Sequence, residues 1–284
     1  MFSWAGEIMP KYISSDGFVW LRIVTAAILF NLTALFFVRE KADWKADWRL
    51  FIICAFFGTA ANMYMFFKGL SLTYPINGAV LMMVTPLFVA ILDHFRHRRM
   101  PGLHTVFGLM AGTAGAVLLI AGKGVHFTAK TLEGDIWVAV NALFYAIYLI
   151  LVKPLAVKYH AVTVNRITFA IGILIIAPFG AAELFRTDFT AIPSDIGVKI
   201  LYTLFFTSFL VYLLNTYGMK HASAELVGVY IYLQPLLATV IALLTGRDEL
   251  TFAKTLYGAM ILIGVWLVSG KYRLSFSPFW KKGV

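Results

Sequence analysis

The sequence predicts an all-α, polytopic membrane protein, a ten-helix bundle of two inverted five-helix repeats whose first helix is truncated. Hydrophobic residues make up 61% of the 284 residues and charged residues only 13%, against roughly 45–50% and about 25% in soluble domains. Nine apolar runs have about the 20 residues that a helix needs to cross the hydrocarbon core. They lie at about 18–38, 50–73, 76–94, 103–121, 134–152, 163–180, 197–217, 225–245 and 252–270.

A short apolar segment, residues 1–13, precedes these nine spans. Thirteen helical residues reach only about two thirds of the way across the bilayer. The repeat nevertheless requires a partner for the span at 134–152. We therefore expect Met1 to lie inside the first span, with roughly ten upstream residues absent from this chain. The segment lacks a charged start and a small-residue cleavage site, so a signal peptide is not indicated.

An internal duplication organises the sequence. Residues 56–72 align with residues 205–221, so that Gly69 matches Gly218 and Pro86 matches Pro235, both 149 positions apart. The alignment predicts a first repeat at 1–122, a second repeat at 123–272 and a cytosolic basic tail at 273–284. Because each unit has an odd number of spans, the two copies are expected to insert in opposite orientations.

The net charge of +10 follows from membrane topology and does not require nucleic acid as a partner. With a cytosolic N-terminus, the inner segments hold fourteen basic residues and the outer loops hold five, a positive-inside bias that predicts both termini in the cytosol of a plasma-membrane protein. The inner residues are Arg39, Lys41, Lys45, Arg49, Arg96, Arg98, Arg99, Lys153, Lys158, Lys220, Lys271, Arg273, Lys281 and Lys282. The outer residues are Lys123, Lys130, Arg186, Arg247 and Lys254.

Several of these landmarks together resemble the EamA-type transporters of the drug/metabolite transporter superfamily. They are Arg22 and Arg166, the paired segments from glycine to proline, and the acidic turn at 246–251 before a glycine-bearing last helix. The sequence departs from the repeat where Arg99 stands opposite Glu249. The resemblance implies solute transport and a central cavity lined by the first, third, fourth, sixth, eighth and ninth spans. It does not indicate which solute is carried.

Polar residues inside a span are costly and usually face a cavity or a partner. Two stripes occupy matching faces of the truncated first helix, residues 1–13, and of its repeat partner, the span at 134–152. The first stripe is Trp4, Glu7 and Lys11, and the second is Asn141, Tyr145 and Tyr148. Such stripes can bind a small amphipathic solute by stacking and hydrogen bonding, or they pack between helices. The other candidates for solute contacts are Asn62, Tyr64, Lys68, Tyr212, Asn215, Tyr230 and Gln234. Lys68 alternatively extends its stem to the outer interface.

Glu7 is the candidate for proton coupling, because the carboxylates Asp93, Asp135 and Glu225 lie at span ends. Burial would favour its protonated form, and pairing with Lys11 one turn away would oppose this. A static ion pair is the alternative.

Paired arginines and prolines suggest moving parts. Arg22 and Arg166 are predicted near opposite mouths, where they could gate the cavity or anchor their helices at the headgroups. Pro86 and Pro235 each remove a backbone hydrogen bond, so we expect hinges or fixed bends at matching points of the two repeats.

Two weaker motifs need a structure to interpret. The small face that begins at Gly108 and Gly112 suits close helix contact, within the chain or in a weak homodimer of an otherwise monomeric protein. His94 and His97 have ligand spacing, but the neighbouring arginines would repel a metal ion.

The sequence therefore predicts a secondary transporter, not an enzyme, that moves a small organic metabolite outward by alternating access. An amino acid-like or related amphipathic solute is expected, driven by its own gradient or by protons. No cofactor, metal or nucleotide motif is indicated. The alternative is a membrane enzyme or sensor that uses the bundle as a scaffold, although the clustered histidines or carboxylates of such a site are not evident.

Overall fold

A computed structural model describes residue 4 and residues 7–98, 101–122, 124–246 and 248–269. These residues form nine long, apolar helices, which confirms the prediction of an all-α polytopic bundle. The helices are α1 Ser15–Phe37, α2 Trp44–Leu72, α3 Pro75–His97, α4 Leu103–Ala121, α5 Leu132–Lys158, α6 Ala161–Phe185, α7 Ser194–His221, α8 Ala224–Leu244 and α9 Phe252–Ser269. Arg99, Lys123, Arg247 and the predicted tail at 273–284 lie outside the described residues.

Helix ends follow local chemistry. The side chain of Ser14 caps α1 by accepting a hydrogen bond from the backbone N–H of Gly17 (3.1 Å). Pro75 stands in the first turn of α3, where its missing N–H costs no helical hydrogen bond. The 23 residues of α1 extend about 35 Å, enough to cross the roughly 30 Å hydrocarbon core. We call the bundle end where α1, α3, α5, α7 and α9 begin the predicted outer end.

Four helices depart from regular α geometry at matching positions. α2 is π-helical over Ala55–Ala60 and α7 over Thr203–Leu210. The repeat offset of 149 residues maps the first segment onto residues 204–209, inside the second. α3 is interrupted after Met82, and α8 passes through a 3₁₀ turn at Tyr230–Tyr232. These two interruptions also match under the repeat, and they lie just before Pro86 and Pro235. Proline has no backbone N–H to donate to the preceding turn of the helix.

Helices that the alignment identifies as counterparts pack against each other in antiparallel fashion. Along α1 and α6, Gly17 lies against Leu184, and the rings of Phe30 and Phe169 are 5.4 Å apart. The two helices therefore run in opposite directions.

The α4–α9 pair shows the same antiparallel arrangement, with Gly108 against Gly264 and Gly115 against Tyr257. The small face of α4 is thus used for contact within the chain. This settles the two readings of that motif in favour of internal packing, since glycines let the two backbones approach closely.

Three hydrophobic clusters fill the described part of the bundle. One includes Phe18 and Phe169, a second surrounds Leu149 on α5, and a third surrounds Tyr232 on α8. Tyr145 packs against the second and third clusters. The middle of α5 therefore lies where these cores meet.

Candidate functional site

Four of the predicted solute contacts come together in the middle of the bundle, and we call Tyr145, Tyr148, Tyr212 and Asn215 the tyrosine cluster. The Asn215 amide Nδ2 donates to the Tyr145 hydroxyl (3.0 Å). The rings of Tyr145 and Tyr148 are stacked, with centroids 6.1 Å apart. Tyr148 and Tyr212 both lie against Gly58 of α2. The cluster joins α5 to α7 with hydroxyls and an amide that could bind a polar solute.

The cluster is built against the π-helical segment of α2. The Tyr212 hydroxyl donates to the backbone carbonyl of Gly58 (3.1 Å). A methyl group at Gly58 would lie 2.1 Å from the ring of Tyr148, so only glycine admits that ring. The Tyr148 side chain is 3% exposed. The ring of Tyr148 is therefore packed in this conformation, whereas Tyr145, Tyr212 and Asn215 are partly buried. A solute would need α2 and α5 to separate in order to reach that ring.

Asn62 and Asn141 join α2 to α5 beside the cluster. The Asn141 amide donates to the Asn62 carbonyl (2.6 Å), and the Asn62 amide donates to the Asn141 carbonyl (3.5 Å). Both residues are buried. The Asn141 Oδ1 atom is buried without a hydrogen-bond partner. The pair is thus an interhelical staple with one unused acceptor.

Arg22 is buried inside the bundle, which does not suit the expected alternative of an exposed headgroup anchor, and its role as a gate stays a prediction. The residue is 2% exposed, about 10 Å along α1 from its start. Its Nε donates to the Ser208 hydroxyl (2.8 Å) and its Nη2 to the Thr207 hydroxyl (3.0 Å). The guanidinium lies 4.4 Å from the centre of the Phe67 ring. Sequence showed only that a charge stood in a span, because its partners are 185 or more residues away.

Arg166, which the repeat aligns with Arg22 at an offset of 144 residues, has different surroundings. It is only partly buried and lines an open depression of about 510 Å³ between α1 and α6, together with Asn31 and Ala170. The two arginines that the repeat equates are therefore not equivalent in this conformation.

The N-terminal segment packs on the first half of α7. The ring of Trp4 meets Tyr202 edge to face at 5.1 Å, and Glu7 forms an ion pair with Lys199. Glu7 does not lie deep in the membrane as expected, because Lys199 is in the second turn of α7 at the predicted outer end. The expected pair with Lys11 is also wrong. Helical structure ends at Ile8 and turns follow, so Lys11 leaves the stripe and lies over the Tyr12 ring.

The remaining predicted contacts are dispersed. Tyr64 packs on Trp137 and Phe179, and Lys68 is half-buried near the end of α2. On α8, Tyr230 and Gln234 are exposed and do not join the tyrosine cluster.

Tyr232, two residues from each of those exposed positions, is fully buried instead. Its hydroxyl is 2.7 Å from that of Thr113, and its ring lies against Gly112. The 3₁₀ turn at Tyr230–Tyr232 has fewer residues per turn than an α-helix. It therefore changes which side chains of α8 face the interior of the bundle.

Sequence analysis also missed two sets of hydrogen bonds that side chains of α5 make, one near each end of the helix. At the predicted outer end, Asp135 accepts hydrogen bonds from Thr73 (2.6 Å) in the α2–α3 turn and from Asn77 (3.3 Å) in the first turn of α3. At the other end, Lys153 donates to the carbonyls of Met219 (2.5 Å) in the last turn of α7 and of Ala222 (2.6 Å) just after it. Placing Asp135 at a span end correctly located it but gave no sign of its burial.

No group of three potential metal ligands occurs among the described residues. The His97 Nδ1 atom lies 3.1 Å from a carboxylate oxygen of Asp93. A second open depression, about 500 Å³, lies beside Asp135 and Phe127. Neither depression includes a member of the tyrosine cluster.

Within the described part of the chain, nine apolar helices surround a partly buried polar cluster, and they define a multi-pass membrane protein. The sequence profile of the EamA-like transporter family matches residues 2–121 and again residues 132–270. The chain belongs to this family, and the resemblance expected from sequence is confirmed.

Curated relatives carry the same class of description. A protein of Archaeoglobus fulgidus, described as an uncharacterized transporter, is 26% identical over 95% of both chains. The uncharacterized transporter YyaM of Bacillus subtilis is 25% identical over 96% of this chain and 90% of its own length. A solved crystal structure has the same fold, with a TM-score of 0.74 and 17% identity over 95% of both chains.

Proposed function

We propose that this protein is a secondary transporter that exports a small organic metabolite across the cytoplasmic membrane by alternating access. The observation that carries the proposal is the tyrosine cluster, where polar groups of α5 and α7 meet the π-helical segment of α2. An amphipathic, amino acid-like solute suits this mixture of rings, hydroxyls and an amide. Its own gradient or a proton gradient would drive movement.

The division into halves at 1–122 and 123–272, with both termini cytosolic, is part of the proposal. It is supported by the antiparallel α1–α6 and α4–α9 pairs and by the matching π-helical segments. Arg22 and Arg166, which the repeat aligns, have different surroundings, so the two halves are not equivalent in this conformation. In inverted-repeat transporters, rocking of one half against the other opens a central site to alternate sides of the membrane.

The proposal is tested with the full chain in proteoliposomes. A thermal-shift screen of amino acids and related metabolites first identifies ligands, because a solute that binds the folded state raises its melting temperature. We expect radiolabelled ligand to enter vesicles preloaded with the unlabelled ligand. Uptake equal to that of protein-free vesicles would contradict transport.

Replacing the prolines is expected to slow transport more than it weakens binding. Pro86→Ala and Pro235→Ala each restore an N–H that can close a backbone hydrogen bond, straightening the interrupted helix. A bond worth about 1 kcal/mol would slow turnover about fivefold. Initial counterflow rates and ligand affinity are measured on the same preparations. Equal losses in both would favour fixed bends.

Glu7→Gln is expected to leave any response of flux to a pH gradient unchanged. Glu7 pairs with Lys199, and its side chain is 44% exposed, which suits a static ion pair better than a proton-coupling site. Exposed pairs contribute about 0.2–1 kcal/mol, so only a small drop in melting temperature is expected. Lys199→Met is the matched control, because it removes the other partner of the same ion pair. Flux that loses its pH-gradient response in Glu7→Gln would return the coupling role to this carboxylate.

A further inference from the structure

Arg22 is a buried cation that has no counter-ion among the residues that the structure describes. Its hydrogen-bond partners are two hydroxyls, and it forms none of the ion pairs among the described residues. The third nitrogen of the guanidinium, Nη1, is buried and has no hydrogen-bond partner. A charge taken out of water in this way is costly unless an opposite charge joins it. Intramembrane charges of this kind commonly mark solute or ion pathways.

The groups around Arg22 are neutral hydrogen-bond acceptors, so the guanidinium can still bind an anion. The Thr207 and Ser208 hydroxyls donate to the Thr203 carbonyl (2.7 and 3.2 Å), so their oxygens face Arg22 as neutral acceptors. A carboxylate accepts from guanidinium more strongly and can engage two nitrogens at once. Both hydroxyls lie on the π-helical segment Thr203–Leu210, and such irregular segments often occur at functional sites.

The location links Arg22 to the tyrosine cluster. Tyr212 packs against the hydrophobic cluster that contains Phe67, the ring that lies against the Arg22 guanidinium, and its hydroxyl donates to the carbonyl of Gly58. Thr207 and Tyr212 are only partly buried. A solute whose acidic group met Arg22 would therefore lay its body along the ring of Tyr212.

We propose that Arg22 binds the carboxylate of the transported solute, which assigns the solute to the small carboxylic acids with an apolar or aromatic body. The inference rests on the proposed transport function and deepens it. It gives Arg22 a role in recognising the solute, beyond the gating and anchoring roles considered from the sequence. Arg166, with its open surroundings, is not given this role.

The test uses thermal shift on the purified full chain with the common L-amino acids, their carboxamides and quaternary amines as probes. We expect at least one free acid to stabilise the wild type, with its carboxamide binding at least tenfold more weakly. Arg22→Gln should lose at least tenfold in affinity for the acid. Arg166→Gln is the matched control and should bind normally. Arg22→Lys keeps the charge without the planar fork, so it should fold and show intermediate affinity.

Two results would overturn the inference. One is equal binding of acid and carboxamide, and the other is unchanged affinity for the acid in both Arg22 variants, whatever their stability. Counterflow on the same samples separates this inference from transport itself. A chain that carries only amines or neutral solutes retains the transport function and loses the role of Arg22. A chain that moves none of the probes loses both.

Discussion

Gly69→Ala is expected to lower the free energy of unfolding by about 1–3 kcal/mol, the usual range for overpacking a well-packed contact. A methyl group at Gly69 would lie 2.8 Å from the Gly134 carbonyl oxygen and 2.8 Å from a methyl of Val138. The first neighbour is backbone, so relief requires α2 and α5 to separate. The asparagine staple joins these two helices, and the tyrosine cluster of α5 and α7 packs against Gly58 of α2, so their separation would disturb both.

Gly218→Ala is the matched control, because the repeat aligns Gly218 with Gly69. Nothing lies within 4 Å of a methyl group built at Gly218. The same change there should be neutral, or stabilising by up to about 1 kcal/mol, since alanine favours a helix more than glycine does. Melting temperatures in one detergent measure the difference. Equal shifts in the two variants would contradict the close contact between α2 and α5.

The sequence was sufficient for the spans, because hydrophobic length is a local property that the bilayer imposes on every helix. It also placed the interruptions of α3 and α8, since proline acts on its own helix. It gave no sign of the π-helical segments at Ala55–Ala60 and Thr203–Leu210. No residue type encodes such a segment.

The site was predictable only in part. Spacing along α5 put Tyr145 and Tyr148 on one face, and their meeting with α7 was the step that required coordinates. Glu7 and Arg22 were misplaced for the same physical reason: the environment of a charge depends on partners far along the chain. Lys199 is 192 residues from Glu7, and Ser208 is 186 from Arg22. Repeat symmetry was also misleading, because Gly218 and Arg166 do not share the surroundings of Gly69 and Arg22.

Asn215→Leu and Tyr145→Phe are each expected to reduce transport about 5- to 150-fold. Each change removes one side of the 3.0 Å hydrogen bond between α5 and α7 and leaves the other group without its partner. A buried polar group left unpaired costs about 1–3 kcal/mol. If the bond also orients solute, this loss appears in the ratio of turnover to half-saturating concentration.

The double variant distinguishes this bond from two separate effects. Residues that act through one shared interaction are non-additive, so the double variant should lose little more than the worse single variant. Tyr217→Phe is the control, because Tyr217 lies on the same helix but is 57% exposed. Losses that multiply would mean that Asn215 and Tyr145 act independently. Lower melting temperatures with normal counterflow per folded molecule would reduce the bond to a structural staple, and the solute site would then have to be sought elsewhere along α2 and α7.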